Sequence, residues 1–285
     1  MDCIDALILG IVQGLTEYLP VSSSGHLEIF HQILGLNTTG AESLQFDIVL
    51  HVATVLSTIV ILWREFSGLC VSFFTLRNDE NTHTVIKILI SCIPVGIVGL
   101  LFKDYVSDFF GGRLDIIGVC LCITALLLGF AYFTRTAPIW KPRNGVVSGQ
   151  KGRDISYFDA FVIGCAQAVA VLPGLSRSGS TIATGILLGD KRDKLASFSF
   201  IMVIIPILGE ALLGIVGGLT GHKEFDAGVG VLPCLVGFVT AFVFGCLACK
   251  WMINIVRKGG LIWFALYCAI VGILSLFWFY GAIAH

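Results

Sequence analysis

Six long apolar stretches limit what this chain of 285 residues can fold into. Each is close to the roughly 20 residues that a helix needs to cross a hydrocarbon core of about 30 Å. The chain is 56% hydrophobic and 13% charged, with a mean hydropathy of +0.92, far more apolar than a soluble domain. We therefore predict an all-α integral membrane protein with six transmembrane helices. The stretches lie at about Phe46–Trp63, Val85–Phe102, Ile116–Phe133, Phe198–Val216, Val229–Ala248 and Leu261–Phe279.

Two further apolar segments, Ala6–Leu36 and Ala160–Leu188, are interrupted near their middles by proline, glycine and serine. These segments are copies of each other, which predicts that the chain is a duplication. We expect a single membrane domain, 1–285, in which repeats 1–135 and 155–285 are joined by a polar connector, 136–154. The matched stretches are Asp5–Gln13 with Asp159–Gln167, Leu19-Pro20 with Leu172-Pro173, Ser22-x-Ser24-Gly25 with Ser176-x-Ser178-Gly179, and Ile33-Leu34-Gly35 with Leu187-Leu188-Gly189.

A broken apolar segment is typical of a re-entrant hairpin, whose tip lies at membrane depth where protein or water covers it. A hairpin returns to its own side, so each repeat crosses the membrane an odd number of times. The sequence therefore predicts two re-entrant helical hairpins in inverted-topology repeats, with both tips near the bilayer midplane.

The lysines and arginines are distributed unequally between the two predicted membrane faces. The face shared by the termini receives only Lys103, Arg113 and Lys223, whereas the opposite face carries most of the basic residues, including those of the connector. By the positive-inside rule, the connector is cytoplasmic and both termini lie outside the cytoplasm.

Serines stand where the second helix of each hairpin would begin, at Ser22 or Ser23 and at Ser176 or Ser178. Serine is a favoured N-cap, and a helix N-terminus presents unpaired N–H groups and the positive end of a dipole. Two such ends facing each other would bind an anion such as phosphate. Arg177 adds a planar donor to the second tip, and the alternative is an arginine that only pairs with Glu17.

Gln13 and Glu17 are four residues apart, so both lie on one face of the first helix. Glu17 can act as a general base toward water or Ser23, help to hold a divalent cation, or only neutralise Arg177. His26 is one turn from Ser22, and its ring can serve as a base, acid, metal ligand or nucleophile in the same pocket.

Two other polar residues are weaker candidates. His51 is one turn from Asp47, which favours a helix pair over a pocket wall. Glu210 lies inside the fourth apolar stretch, where a carboxylate suggests a function, but no neighbour in sequence offers it a partner.

Two motifs carry a resemblance that covers nearly the whole chain. The stretch from Gln13 to His26, QGLTEYLPVSSSGH, and the stretch from Pro173 to Thr181, PGLSRSGST, resemble the signatures of the bacterial undecaprenyl-diphosphate phosphatases, also called bacitracin-resistance proteins. The resemblance implies hydrolysis of undecaprenyl diphosphate to the monophosphate carrier of cell-wall synthesis. It also implies a bacterial inner-membrane location and a polyprenyl diphosphate lipid as substrate. From the distribution of lysine and arginine, we expect the active site to open toward the outer, periplasmic side.

The resemblance assigns roles to individual residues. It implies catalytic roles for Glu17, Ser23, His26 and Arg177, and a cofactor, Mg²⁺ or Ca²⁺, held by Glu17 and Gln13. This chain has Gln13 where many members of the family have glutamate, and Tyr267-Cys268 where many have an arginine after the tyrosine. The residues implied to bind phosphate are Ser22, Ser176, Ser178 and Thr181.

A second hypothesis belongs to another class of protein. Inverted repeats with broken helices are also typical of transporters, which would move a lipid phosphate or a small anion without hydrolysis. We expect membrane lipid and no nucleic acid among the partners, and the sequence leaves a homodimer open.

Overall fold

The computed structural model describes residues 1–36, 40–75, 78–101, 113–136, 152–219 and 229–283, and these residues are almost entirely helical. An isolated bridge between Arg153 and Asp190 is their only β-type pairing. The helices are α1 Cys3–Thr16, α2 Ser23–Ile33, α3 Gly40–Ile61, α4 Trp63–Phe74, α5 Glu80–Leu101, α6 Leu114–Thr136, α7 Tyr157–Val169, α8 Arg177–Leu188, α9 Arg192–Met202, α10 Ile204–Leu219, α11 Val231–Lys258 and α12 Ile262–Ile283.

Five stretches of the described residues are long and apolar enough to cross a membrane. They are α5, α6, the α9–α10 pair, α11 and α12. A sixth crossing exists if α3 and α4 count as one span, but these helices meet at 88°. The prediction of an all-helical, multi-pass membrane protein is therefore confirmed. The bend between α3 and α4 falls at the end of the first predicted stretch, Phe46–Trp63.

Each interrupted apolar segment forms two helices joined by a short turn. Both first helices begin with a capping box, formed by Asp2 and Asp5 in α1 and by Ser156 and Asp159 in α7. Both second helices have a serine N-cap. The Oγ of Ser22 accepts from Gly25 N at 3.2 Å, and the Oγ of Ser176 accepts from Gly179 N at 3.0 Å.

The two halves of the chain pack against each other reciprocally. The first hairpin helix, α1, lies on α11 from the second half, and its counterpart α7 lies on α5 from the first half, while α6 packs on α12. Glycines permit the close approach: a Cβ at Gly14 would lie 2.7 Å from Ala241 O, and one at Gly164 would lie 2.3 Å from Ser91 O. Any larger side chain at either position would force the helices apart.

Ion pairs join the start of α5, the end of the connector and the start of α9 on one face of the bundle. Lys194 Nζ lies 2.6 Å from Glu80 Oε1 and 3.4 Å from Asp154 Oδ1. The hydrogen bond from Lys191 holds the pKa of Asp154 below its usual range. Most of the predicted connector, residues 137–151, lies outside the described residues, so the division into repeats stays a prediction.

Candidate active site

The turns of the two hairpins touch each other inside the bundle. Ser178 Oγ donates to the carbonyl oxygen of Leu19 at 3.1 Å, across a sequence separation of 159 residues. A Cβ at Gly25 would lie 3.0 Å from Gly174 Cα, so the backbones of the two tips are nearly in contact. Ser22 has a φ of 70°, in the left-handed region, which turns the chain sharply before α2 begins.

Glu17 lies where the two tips meet, and its side chain is only 8% exposed. Its Oε2 accepts from Gln13 Nε2 at 3.0 Å and from Ser23 Oγ at 2.6 Å. His51 Nε2 lies 3.6 Å from the same oxygen, and Arg177 Nη2 lies 3.5 Å from Oε1. Residues from both hairpins and from α3 therefore surround one buried carboxylate.

Tyr18 fixes the position of the neighbouring Glu17. Its buried hydroxyl donates to Thr54 O at 2.5 Å and contacts the hydroxyl groups of Ser57 and Thr58 on α3. The Tyr18 ring packs edge-on against Phe200, with centroids 5.2 Å apart. The first tip is thereby attached to two other parts of the bundle.

Arg177 is the first residue of α8, and its side chain is 28% exposed. A guanidinium carries five N–H donors, far more than the single contact with Glu17 uses. The remaining donors suit a ligand with several oxygens, such as a phosphate group.

His26 points toward α12. Its Nδ1 lies 2.8 Å from the carbonyl oxygen of Ser22, which can only accept, so Nδ1 carries a proton. Its Nε2 lies 2.8 Å from the hydroxyl of Tyr267, and the two rings stack 5.6 Å apart. In the neutral ring, Nε2 accepts a hydrogen bond from the Tyr267 hydroxyl.

A small cavity of about 20 Å³ opens where the hairpins, α3 and the α9–α10 pair converge. Glu17, Arg177, Ser178 and Thr181 line it on the hairpin side, together with Gln167 from α7. Val55, Phe200, Val203 and Ile207 form its apolar part. A charged pair beside an apolar wall suits a ligand with an anionic headgroup and a hydrocarbon tail.

Comparison with known proteins identifies the family of this chain. A family model described as bacitracin resistance protein BacA matches residues 6–274. The chain belongs to the BacA family. A protein named undecaprenyl-diphosphatase from Bacteroides thetaiotaomicron is 56% identical to it over 273 residues, which cover 96% of this chain and 97% of the relative. Relatives of the same name are 57% identical over 276 residues in Bacteroides fragilis and 38% identical over 277 residues in Oceanobacillus iheyensis.

In this BacA chain the residues predicted as catalytic form two groups. Glu17 contacts both Ser23 and Arg177, whereas His26 is turned toward Tyr267. Of these four residues, Glu17 and Arg177 line the cavity. The sequence predicted the His26 ring in the same pocket, because that prediction rested on spacing along α2. The aromatic partner on α12 does not follow from this spacing.

The residues predicted to bind phosphate also differ in position. Ser22 and Ser176 cap α2 and α8, whereas Ser178 and Thr181 line the cavity. The N–H groups of the first residues of each helix have no partner inside the helix, so they remain available near the caps. Their roles in this BacA chain remain predictions.

His51 and Glu210 were the weaker candidates, and the structure separates them. His51 does pair with Asp47, but through the backbone oxygen of Asp47, which lies 2.7 Å from His51 Nδ1. The other ring nitrogen of His51, Nε2, faces Glu17. The Asp47 carboxylate lies instead 3.5 Å from His31. Glu210 has an exposed side chain on α10 and does not line the cavity.

Sequence reasoning missed Tyr267 and Gln167. Tyr267 is 241 residues from His26 along the chain, and nothing in the sequence connects the two. Gln167 could have been found from the sequence, because the repeat aligns it with Gln13.

Proposed function

We propose that this protein hydrolyses undecaprenyl diphosphate to undecaprenyl phosphate and inorganic phosphate, and so recycles the lipid carrier of cell-wall synthesis. The observation that carries the proposal is Glu17, a buried carboxylate in contact with Ser23 on its own hairpin and Arg177 on the other. The name shared by relatives over nearly the full chain supports the same substrate.

The diphosphate headgroup binds between the N-termini of α2 and α8. Arg177 and the unpaired N–H groups of these helices supply positive charge and donors without costly rearrangement. The polyprenyl tail extends from this headgroup site toward the lipid.

Glu17 is the general base. Its hydrogen bond of 2.6 Å to Ser23 favours this hydroxyl as the attacking group, since both ring nitrogens of His26 have other partners. Glu17 takes the Ser23 proton, and Ser23 Oγ forms a bond to the terminal phosphorus. The bond from that phosphorus to the bridging oxygen breaks, and undecaprenyl phosphate leaves with the oxygen. Water then hydrolyses the phosphoserine, and Glu17 returns its proton to Ser23.

The cofactor is a divalent cation, Mg²⁺ or Ca²⁺, held by Glu17 and Gln13. Gln13 Oε1 is buried and has no hydrogen-bond partner among the described residues, so this oxygen fits a metal ligand. The described residues contain no cluster of three or more His, Cys, Asp or Glu side chains that could hold a metal. Glu17 and Gln13 would hold such a cation, which when bound would supply positive charge beside the phosphate.

Replacing Gln13 by glutamate tests this assignment. Gln13→Glu places a second carboxylate about where the amide now contacts Glu17, and a bound cation relieves the repulsion between the two. We expect full activity at saturating Mg²⁺ and a lower Mg²⁺ concentration for half-maximal activity, measured by phosphate release. An unchanged Mg²⁺ requirement would remove Gln13 from the metal site.

The hairpins are re-entrant and the repeats inverted, with both termini and the active site on the outer side of the inner membrane. The reciprocal packing of α1 on α11 and α7 on α5 supports this arrangement, as do the paired capping boxes. Asp2→Cys and His285→Cys, each in a cysteine-free background, should react with an impermeant reagent added outside spheroplasts. Labelling of either position only after lysis would reverse the topology.

The experiment for the proposed function measures phosphate released from undecaprenyl diphosphate by the purified protein in detergent. We expect turnover that depends on added divalent cation. A transporter of lipid phosphate would bind the same headgroup and release no phosphate, so a protein that binds without turnover would contradict the proposal.

A further inference from the structure

Gln167 is a fully buried amide that faces the cavity beside Glu17 and Arg177. Neither its Nε2 nor its Oε1 has a hydrogen-bond partner among the described residues. A primary amide has two donors and an acceptor, and burying them unpaired costs folding free energy. The fold therefore retains a destabilising group at the point where the two hairpins meet.

The repeat explains why this amide is available. Gln13, its counterpart, donates to Glu17 four residues further along α1. Four residues beyond Gln167 the chain has Val171, which offers the amide no carboxylate. The second hairpin thus keeps the glutamine and lacks its partner.

A second unpaired group lies in the same cavity. Ser199 on α9 lines it and is buried, and its Oγ also has no partner among the described residues. The cavity has room for one group of the size of water or a phosphate oxygen. Arg177 lines the same cavity, so an oxygen placed there meets its guanidinium as well as the two unpaired groups.

We propose that Gln167 and Ser199 bind an oxygen of the lipid diphosphate headgroup from the side of the second hairpin. This inference rests on the proposed function and adds neutral donors to its binding site. The Gln167 amide and the Ser199 hydroxyl add donors to those of Arg177 and the two helix N-termini, without further charge.

The test compares Gln167→Leu and Ser199→Ala with the full-length protein in detergent. A hydrogen bond to a charged oxygen corresponds to about 10- to 100-fold in binding, so Gln167→Leu should weaken substrate (KM) and pyrophosphate binding (Kd by calorimetric titration) by that factor. Ser199→Ala should show a smaller loss of the same kind.

The unfolding temperature of Gln167→Leu should stay the same or rise, because leucine removes an unpaired amide without leaving a void. Ser275→Ala, which deletes a buried hydroxyl bonded only to its own helix at 2.9 Å, is the matched control and should leave all three values unchanged.

Two results would overturn the inference. A lower unfolding temperature with unchanged KM and pyrophosphate affinity would make Gln167 structural. A lower kcat with unchanged affinity would mean that it positions water instead of the headgroup. Failure of the proposed function can be distinguished from failure of this inference. If the wild-type protein shows no turnover, its pyrophosphate affinity can still be measured. A loss of that affinity in Gln167→Leu would then support the binding site alone.

Discussion

Replacing Glu17 by glutamine is expected to lower phosphate release by about 10²- to 10⁴-fold, the usual contribution of a general base. Glutamine keeps the size of the side chain and can still bond Gln13 and Ser23, but it cannot take a proton from the attacking hydroxyl. The measurement is kcat for undecaprenyl diphosphate in detergent at saturating Mg²⁺, with the unfolding temperature recorded for each variant.

Glu210→Gln is the matched control, because it makes the same substitution in an exposed side chain on α10 outside the cavity. It should retain wild-type turnover. Ser23→Ala should lose activity to a similar extent as Glu17→Gln if Ser23 is the attacking group. Near-normal turnover in Glu17→Gln would remove Glu17 both as base and as metal ligand.

Replacing Arg177 by lysine or alanine is expected to lower turnover by at least about 10²-fold, on the scale of removing one donor from a preorganised site. Lysine keeps the charge but loses the planar, bidentate arrangement of donors that matches phosphate oxygens. Both variants should stay folded, because Arg177 is partly exposed and its contact with Glu17 is a single one at 3.5 Å. Phosphate release and thermal unfolding of the two variants are measured together.

Arg113→Lys serves as the control for this substitution, since Arg113 pairs with Asp115 at 2.7 Å outside the site. Its turnover should match that of the wild type. An active Arg177→Lys variant, together with an Arg177→Ala variant that is inactive only because it unfolds, would make Arg177 a structural partner of Glu17.

Local patterns in the sequence predicted much of the fold. The apolar stretches became long helices because their length and composition leave few other structures for the backbone in lipid. The bend between α3 and α4 escaped prediction, because Leu62 is apolar like its neighbours. The 88° turn instead accompanies the packing of α4 on the next helix, α5, a contact between helices that the residues around Leu62 do not indicate.

The candidate site was also predictable only in part. Gln13, Glu17 and Ser23 lie within eleven residues, so helix spacing and a serine cap were enough to place them together. Arg177 came within reach through the repeat, which predicts two facing tips. His51 and Tyr267 depend on how α3 and α12 pack around the first hairpin, and no local pattern encodes that contact.

In the proposed mechanism, both hairpin tips act on one lipid diphosphate. An experimental structure of the protein with a methylene-bisphosphonate analogue of a polyprenyl diphosphate would show this contact directly. We expect the bisphosphonate between the N-termini of α2 and α8, within hydrogen-bonding distance of Arg177 and of backbone N–H groups from both helices. A headgroup that contacts only one tip, or that lies instead at the cluster of Lys191 and Lys194, would contradict it.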